Sequence, residues 1–477
     1  MARYTCPQRK NSRPNPVDPV LLLRKCHHRA QNELIMNGSV FSTGWPNIAK
    51  KIQMRLLRTL VLTAWFFSAG AASMAQQAPD TTQKIMPGRA NSLEQQKKPY
   101  VILISSDGCR YDLVQKYHAE NLLRLRAEGV TAEFMQSSYP SLTFPNHYSI
   151  ATGLYPAHHG IVDNTFYDEQ KHASYSIGNR KAVTDSSWYG GTPIWVLAEK
   201  QQMLSACFYW VASEAAIQGV RPSYYYIYNE AIPMDKRIAI VKGWLTMPEE
   251  KRPHMITFYI NEPDHQEHRY GPDSKEAESA VQMVDQAVGK LVRVVDSLGL
   301  PVNFVFLSDH GMAAIDTTAT ISLPSAVDTS KFVVLPGLPL LHLYAKDKKD
   351  VKPTYTALKK EAIDYDVYLA DKLPKRWHYR KKDDRYNRIG DIVLVPHFPK
   401  VFNIYHRHVP FAEHGYDPAI TEMHASFYAW GPAFRPHSSI GGFENVHVYP
   451  MIAKILGLTY TDRIDGKLKV LKPVLKE

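Results

Sequence analysis

Carboxylate and imidazole side chains recur in this sequence at spacings that suit a divalent metal. Asp264 and His268 are four residues apart, so on a helical turn they face the same way. Asp309 and His310 are adjacent, and His414 precedes a glycine that permits a tight loop. Such ligands suit zinc or a related metal, and two metals about 3.5–4 Å apart could hold both oxygens of an in-line phosphoryl displacement. Taken singly, each pattern is as typical of a surface ion pair or a loop.

The hydroxyl of Thr143 is a second candidate for chemistry. Pro145 is favoured as a first helical residue, so we predict a short helix over 146–152 that ends at Gly153. Thr143 and Phe144 then lie at the helix N-terminus, where free N–H groups and the helix dipole attract anions. A hydroxyl at that point could attack a phosphoryl group. The alternative is that Thr143 only caps the helix.

Strands that alternate with helices could bring these side chains together. The run 100–106 is continuously apolar, which is typical of a strand buried on both faces. The alternation predicts an α/β fold: a mostly parallel central sheet with helices on both faces. Asp107, Asp264 and the pair Asp309–His310 each follow a predicted strand, and ligands bind at such strand ends. The predicted strands are 100–106, 205–209, 255–260 and 302–307, and the predicted helices are 112–128, 193–200, 235–245 and 274–298.

Changes in composition suggest the domain boundaries. Residues 76–98 are rich in Gln, Thr, Pro and Ser and predict a flexible linker. A charged and aromatic stretch over 346–399 predicts a small α+β insertion in the main domain. The catalytic core would then comprise residues 99–345 and 400–477.

The N-terminal region carries most of the net charge of +11. Residues 1–75 hold 11 Lys and Arg against 2 Asp and Glu, and the remainder holds 46 against 44, a net of +2. The bulk of the protein is therefore nearly neutral, which gives no support to nucleic-acid binding.

Residues 54–75 have the basic, apolar and small-residue regions of a signal peptide. We therefore expect Met54 to be the true start, with 1–53 an over-extended N-terminus; the alternative is a basic cytoplasmic segment with an uncleaved anchor. The mature protein would be periplasmic or secreted, without stable membrane insertion. Only Cys109 and Cys207 follow the leader, and whether they pair is open.

An ordered set of motifs resembles the nucleotide pyrophosphatase/phosphodiesterase family of the alkaline phosphatase superfamily, in its bacterial exported type. The resemblance covers roughly residues 98–470 and implies an alkaline phosphatase-like α/β fold. The matching segments are 106–108, 143–147, 160–164, 210–214, 219–222, 259–268, 308–312, 414–417 and 431–434.

The resemblance implies two zinc ions and a covalent mechanism. Thr143 would be the nucleophile of a phospho-threonine intermediate, with Asn164 and the backbone N–H after Thr143 binding a non-bridging oxygen. Phe144 and Tyr259 match positions that sandwich a nucleobase, although core packing is an alternative for both. One zinc would be held by Asp264, His268 and His414, and the other by Asp107, Thr143, Asp309 and His310.

The expected function is hydrolysis of nucleotide phosphodiester or phosphoanhydride bonds to nucleoside 5′-monophosphates. Alternatives within the superfamily are a phospholipid-type phosphodiesterase, a phosphonate hydrolase or a phosphomonoesterase; a non-catalytic binding protein would lack a ligand or the nucleophile, and none is missing. Glu267, where the family usually has glycine, and the altered motif at 210–214 put the substrate in doubt. His147, His158 and His159 are candidates to orient a ligand carboxylate.

Overall fold

A computed structural model of the chain describes residues 79–476. The predicted over-extended start at 1–53 and the signal peptide at 54–75 lie outside the described residues. Within 79–476, no helix combines the length and apolar character needed to cross a membrane. Cys109 and Cys207 are both buried and both free, so they do not pair with each other.

The strands group into one large sheet and several small ones. Each residue of the strand Tyr100–Ser106 is buried, as its continuous apolar sequence predicts. In chain order the strands are β1 Lys84–Ile85, β2 Tyr100–Ser106, β3 Val130–Ala132, β4 Met135–Gln136, β5 Thr165–Asp168, β6 Ala173–Ser176, β7 Ser205–Phe208, β8 Tyr224–Tyr226, β9 Met255–Ile260, β10 Val302–Leu307, β11 Ala313–Ala314, β12 Phe332–Val334, β13 Leu341–Ala345, β14 Tyr365–Leu369, β15 Ile392–Pro396, β16 Ala412–Glu413, β17 Phe427–Trp430, β18 Ser438–Ile440 and β19 Phe443–Glu444.

The large sheet has the strand order β1-β8-β7-β9-β2-β10-β17-β3-β18. Its central strands β8, β7, β9, β2 and β10 are mutually parallel. The strand β17 is antiparallel to both β10 and β3, and β1 is antiparallel to β8 at one edge. The predicted mostly parallel sheet is therefore confirmed, with antiparallel pairs added on both sides of its centre.

Helices cover both faces of this sheet, as predicted. Val101 and Leu103 of β2 join the apolar core on one face, and Ile102 and Ile104 join the core on the other. Alternate side chains of a strand point to opposite faces, so a sheet this apolar must be covered twice. The helices are α1 Leu113–Lys116, α2 Glu120–Glu128, α3 Thr143–Thr152, α4 Pro156–His159, α5 Arg180–Thr184, α6 Ile194–Lys200, α7 Met234–Leu245, α8 Asp264–Tyr270, α9 Lys275–Asp296, α10 Val351–Glu361, α11 Val448–Leu456 and α12 Leu468–Leu471.

Short 3₁₀ turns lie between several of these elements. The expected helix over 112–128 is interrupted and forms α1 and α2, because His118 adopts a positive φ of 49° that a continuous helix cannot contain. The 3₁₀ turns are Gln95–Lys97, Ser186–Trp188, Lys348–Asp350, Ala370–Lys372, Lys375–Trp377, Thr421–Met423, Asn445–His447 and Lys472–Val474.

The described part of the predicted flexible linker is hydrogen-bonded to the rest of the domain. Strand β1 pairs with β8 through Lys84 and Ile85. The buried Asn91 side chain donates to the carbonyls of Glu249 and Arg252 and accepts the N–H of Leu204. These bonds explain the difference, because a polar composition alone does not reveal which backbone groups a segment will satisfy.

The predicted α+β insertion begins earlier than expected. A four-stranded antiparallel sheet has the order β12-β13-β15-β14, and α10 connects β13 to β14. Its first strands, β12 and β13, precede residue 346. The apolar run Leu341–Ala345 resembles a strand of the main sheet, which is why composition placed the boundary after it.

Candidate active site

The carboxyl ends of the parallel strands bring the acidic residues together. Asp107 follows β2 and Asp309 follows β10, and these two strands are neighbours in the sheet. The Gly108 N–H donates to Asp309 Oδ1 over 3.3 Å, and the Asp264 N–H donates to the Asp107 carbonyl over 3.1 Å. The three segments are thereby held against one another, as the parallel sheet predicts.

Helix α8 places Asp264 and His268 on one face. Asp264 Oδ1 lies 3.4 Å from His268 Nε2, which is the geometry expected for residues one helical turn apart. His414 reaches the same point because β16 pairs with β11, just beyond His310. The rings of His310 and His414 stack with centroids 3.6 Å apart.

All three imidazoles are oriented by backbone carbonyls. The Nδ1 atom of His268 lies 2.8 Å from the Ala412 carbonyl, and those of His310 and His414 lie 2.9 and 2.8 Å from the carbonyls of Gly311 and Ser141. A carbonyl can only accept, so the ring proton is on Nδ1. In the neutral form of each imidazole, the Nε2 atom then carries a lone pair that can bind a cation.

Among the predicted metal ligands, three buried carboxylate oxygens lack a hydrogen-bond partner in residues 79–476: Asp107 Oδ1, Asp264 Oδ1 and Asp309 Oδ2. Unpaired buried oxygens are costly unless a cation compensates them. Asp264 Oδ1 lies 3.4 and 3.6 Å from Nε2 of His268 and His414. This arrangement defines the first donor group, and it fits a zinc ion with an open coordination position.

The second donor group consists of Asp107, Asp309, His310 and Thr143. His310 Nε2 lies 3.0 Å from Asp309 Oδ2, 3.5 Å from Asp107 Oδ1 and 3.2 Å from Thr143 Oγ1. The structure therefore brings every predicted metal ligand into one of two adjoining groups. Both groups have the oxygen and nitrogen donors that zinc accepts.

The charges of these carboxylates oppose one another in the absence of a cation. Burial raises the pKa of the Asp107 carboxyl well above its ordinary value, and the charges of Asp309 and Asp264 raise it further. Burial also opposes ionisation of Asp264, but the imidazoles of His268 and His414 lower its pKa to about 2. A divalent cation in each group would relieve the repulsion and keep all the carboxylates ionised.

Thr143 is the first residue of α3, so the helix begins earlier than the predicted 146–152. The Asn146 N–H donates to the Leu142 carbonyl, which makes Pro145 the third helical residue. Pro145 is tolerated there because the first N–H groups of a helix have no intrahelical partner. The hydroxyl of Thr143 thus lies at the helix N-terminus, as expected.

Asn164 contacts the nucleophile segment directly. Its Oδ1 accepts the Phe144 N–H over 3.0 Å. This backbone group was expected to bind a phosphoryl oxygen, but here Asn164 already occupies it. The contact fixes the amide so that Nδ2 is its remaining donor, which has no partner among residues 79–476.

A cleft with a volume of about 310 Å³ opens beside Thr143 and Asp107. Phe144 and Tyr259 both line it, but Tyr259 is only 9% exposed and donates its hydroxyl to Asp107 Oδ2 over 2.6 Å. Tyr228 lines the same cleft and is 43% exposed. Sequence analysis missed Tyr228; its one signal is that it closely follows the end of β8.

Of the histidines expected to orient a carboxylate, only His147 lies at the donor groups. Its Nδ1 is 3.0 Å from the Thr143 carbonyl and 3.2 Å from Asp309 Oδ2, and its Nε2 accepts from the Ser105 hydroxyl over 2.8 Å. His158 instead pairs with Asp465, and His159 bonds to Ser149. His147 therefore orients Asp309 and the backbone of Thr143 together.

The model of the family "Type I phosphodiesterase / nucleotide pyrophosphatase" matches residues 101–417. The matched segment contains both donor groups and the nucleophile segment. The chain belongs to this family. An alkaline phosphatase-like α/β fold agrees with this membership and with the solved structures described next.

Curated relatives and solved structures agree with the family. The chain is 35% identical to mouse (Mus musculus) ectonucleotide pyrophosphatase/phosphodiesterase family member 1, over 76% of this chain and 41% of that protein. It is 32% identical to a venom phosphodiesterase of Macrovipera lebetinus, over 83% of this chain and 46% of that protein. The chain thus spans less than half the length of these relatives. Murine ectonucleotide pyrophosphatase/phosphodiesterase 5 superposes with a TM-score of 0.74 and 29% identity, over 79% of this chain and all of that one.

In this member of the family, Glu267 lies beside the two donor groups but outside them. It is fully buried, and neither carboxylate oxygen has a hydrogen-bond partner among the described residues. Burial, followed by the charge of Asp264, raises its pKa well above the ordinary value. A Cβ on Gly108 would lie 3.2 Å from Glu267 Oε2, so the side chain packs under the Gly108 loop and belongs to neither donor group.

Proposed function

We propose that this chain is a two-zinc phosphodiesterase and nucleotide pyrophosphatase that hydrolyses nucleotide phosphodiester or phosphoanhydride bonds and releases nucleoside 5′-monophosphates. The observation that carries the proposal is the position of Thr143 Oγ1: at a helix N-terminus, beside the second donor group and at the mouth of an aromatic cleft.

Asp264, His268 and His414 would hold one zinc ion, and Asp107, Thr143, Asp309 and His310 the other. The bound ions would supply Lewis acidity, lowering the pKa of a hydroxyl and neutralising charge on the phosphoryl oxygens. The two donor groups fit zinc ions because three of their carboxylate oxygens have no hydrogen-bond partner among the described residues and because their Nε2 atoms can bind a metal.

Thr143 would attack phosphorus through Oγ1, forming a phospho-threonine while the bond to the leaving group breaks. Water would then attack this phosphorus, break its bond to Oγ1 and release the nucleoside 5′-monophosphate. Asn164 would donate Nδ2–H to a non-bridging oxygen as negative charge develops there. A solved relative, murine ectonucleotide pyrophosphatase/phosphodiesterase 5, is described as inactive with one threonine replaced by alanine, in complex with AMP.

The cleft suggests how a nucleobase would be held. Phe144 and Tyr228 are the accessible aromatic rings in it, so we assign base stacking to these two. Tyr259 would act differently from our sequence-based expectation, since its hydroxyl orients Asp107. The remaining lining, including Arg180 and Glu214, would determine which base is preferred.

We also propose that residues 54–75 direct export, so that the protein acts in the periplasm or outside the cell on small nucleotide substrates. The catalytic core would be formed by the segments on either side of the small antiparallel sheet. Intact-mass analysis of the native protein tests the first point: a mass that includes residues 1–53 would contradict both the start at Met54 and the cleaved leader.

The function is tested by hydrolysis with purified protein from Gln76 onward, supplied with zinc. The substrates are p-nitrophenyl thymidine 5′-monophosphate, p-nitrophenyl phosphocholine, phosphonoacetate and p-nitrophenyl phosphate. We expect preference for the nucleotide diester, lost on chelation and reduced at least about 10³-fold by Thr143→Ala. Thr246→Ala, at an exposed helix end, is the control and should keep full activity.

The outcomes separate the parts of this proposal. Preference for phosphocholine or phosphonoacetate would retain the metal chemistry and discard the nucleotide assignment. Preference for p-nitrophenyl phosphate would indicate a phosphomonoesterase. Undiminished activity of Thr143→Ala would discard the nucleophile, and no hydrolysis of any of the four compounds by the zinc-loaded protein would favour a binding protein instead.

A further inference from the structure

Glu413 is a buried carboxylate that none of the roles above uses. It is the last residue of β16 and only 7% exposed. Its Oε1 accepts the His414 N–H over 3.0 Å and lies 3.8 Å from His414 Nε2. Within residues 79–476, neither a lysine nor an arginine forms an ion pair with it, so its negative charge has no fixed positive partner there.

Within the described chain, the charged or polar groups facing Glu413 are imidazoles, not lysine or arginine side chains. His268 and His414 both donate Nδ1–H to backbone carbonyls, so in its neutral form each presents an Nε2 lone pair. The donor atoms of His268, Glu413 and His414 all lie within 4.8 Å of one another. Neutral imidazoles bring no positive charge to a buried carboxylate, and a cation among the three donor atoms would compensate it.

The charge balance of the two donor groups gives an independent reason. The second group contains two carboxylates, Asp107 and Asp309, whereas the first contains only Asp264. Adding Glu413 to the first group gives each divalent ion two carboxylates. Two donors bound to one zinc at about 2.0–2.2 Å can lie no more than roughly 4.3 Å apart, and the 3.8 Å between Glu413 Oε1 and His414 Nε2 satisfies this limit.

We propose that Glu413 is a fourth protein donor to the cation held by Asp264, His268 and His414. The proposal rests on the two-metal site of the proposed function and adds a ligand to it. With Glu413 included, the first donor group has two carboxylates and two imidazoles, and it binds its ion more tightly than the three other residues alone.

A simpler role for Glu413 is to hold the backbone of His414, and Glu413→Gln distinguishes the two. Glutamine keeps a carbonyl oxygen that can accept the His414 N–H, and its volume is nearly the same. It removes only the negative charge and the anionic donor. Glu267→Gln is the matched control, because Glu267 is also buried, also precedes a predicted ligand, and belongs to neither donor group.

The test is a zinc titration of the metal-free chain in competition with a chromophoric chelator, for the native protein and both variants. We expect two zinc ions in the native protein. Glu413→Gln should weaken one of them at least about 10-fold and leave the other unchanged. Glu267→Gln should leave both affinities within about twofold of the native values.

Unchanged affinities in Glu413→Gln would overturn the proposal and leave the proposed function intact. Equal weakening by both variants would also overturn it, because the effect would then follow from changing any buried carboxyl beside a predicted ligand. If the native protein bound no zinc, the proposed function itself would fail. Should Glu413→Gln not fold by circular dichroism, Glu413→Asp replaces it; its carboxylate is one methylene shorter, and it should again weaken one zinc ion only.

Discussion

At the scale of single residues, His147 and Tyr259 each contact one carboxylate of the second donor group. His147 contacts Asp309 and the Thr143 carbonyl. Tyr259 donates its hydroxyl to Oδ2 of Asp107, and the other oxygen of that carboxylate, Oδ1, has no hydrogen-bond partner among the described residues. The Tyr259 contact leaves the other oxygen of Asp107 free for the cation, whereas His147 lies against the oxygen of Asp309 that faces His310. Such supporting contacts typically change metal affinity by 10–100-fold when removed.

We therefore expect His147→Ala to weaken zinc binding at the second donor group by roughly 10–100-fold. The physical reason is that Asp309 and the start of α3 lose their common anchor. Competition with a chelator measures the change. His159→Ala is the control: this imidazole is equally buried but contacts Ser149, so its loss should cost stability and leave zinc affinity intact. Equal zinc affinities in the two variants would contradict the assignment.

Tyr228→Ala should raise KM for p-nitrophenyl thymidine 5′-monophosphate about fivefold or more, since stacking on a base is worth about 1–3 kcal/mol. KM for bis(p-nitrophenyl) phosphate, which has no base, should stay unchanged. Steady-state kinetics with both substrates gives the comparison. A similar rise for both would mean that Tyr228 shapes the cleft without contacting a base.

The sequence predicted which carboxylates and imidazoles would lie together, because most of them follow predicted strands and their motifs occur in a specific order. It did not predict Tyr228, because Tyr224, Tyr225 and Tyr226 are chemically identical to it and only the end of β8 separates their environments. It did not predict Glu413 either. A single glutamate beside a histidine carries no signal until β16 pairs with β11 and buries it.

At the scale of elements, the turn after β2 requires a glycine. Gly108 has a φ of +69°, and a Cβ there would lie 2.9 Å from Asp264 Cβ and 3.0 Å from Asp264 Cα. The turn and the start of α8 are thus packed backbone to backbone. A side chain at Gly108 must displace the first donor group.

Gly108→Ala should lower the free energy of unfolding by about 2–4 kcal/mol, from left-handed strain of about 1 kcal/mol plus overpacking of about 1–3 kcal/mol. It should also weaken zinc binding at Asp264. Gly219→Ala separates the two effects, because Gly219 has a φ of +78° and nothing within 4 Å of a new Cβ. Urea unfolding and zinc titration check both variants, and equal losses of stability would contradict the clash.

Element types were easier to predict than element ends. The strands 255–260 and 302–307 match β9 and β10 residue for residue, since their apolar runs stop abruptly at polar residues. Helix α3 begins at Thr143 and not after Pro145, because a proline in the first turn costs no hydrogen bond wherever in that turn it stands. Proline therefore marks the first turn of a helix and not its first residue.

At the scale of the whole molecule, Asn91 ties the N-terminal segment of the described chain to the sheet. Asn91→Ala leaves the buried N–H of Leu204 and the carbonyls of Glu249 and Arg252 without their partner. We expect the free energy of unfolding to fall by about 2–3 kcal/mol. Gln96→Ala, which removes one half-exposed bond in the same segment, should cost less than about 1 kcal/mol, and urea midpoints compare them. Equal urea midpoints for the two variants would show that Asn91 stabilises this segment no more than Gln96 does.

The α/β class could be predicted from alternation, but the spatial order of strands could not. The strand β17 lies beside β10 although more than a hundred residues separate them, and such long-range pairs leave no local pattern. The small antiparallel sheet is another case. Its connection between β14 and β15 places Trp377 flat on Tyr139, with ring centroids 3.9 Å apart, close to the nucleophile segment. The composition from which the insertion was predicted gives no indication of this contact.

The order of the donors along the chain has a consequence for maturation. Asp107, Thr143, Asp309 and His310 have all emerged before β11, whereas the first donor group lacks His414 until β16 has emerged. A chain that emerges from its N-terminus therefore presents every donor of the second group before the last donor of the first. Under the proposed function, activity would have to wait for His414, because the first ion site is incomplete without it.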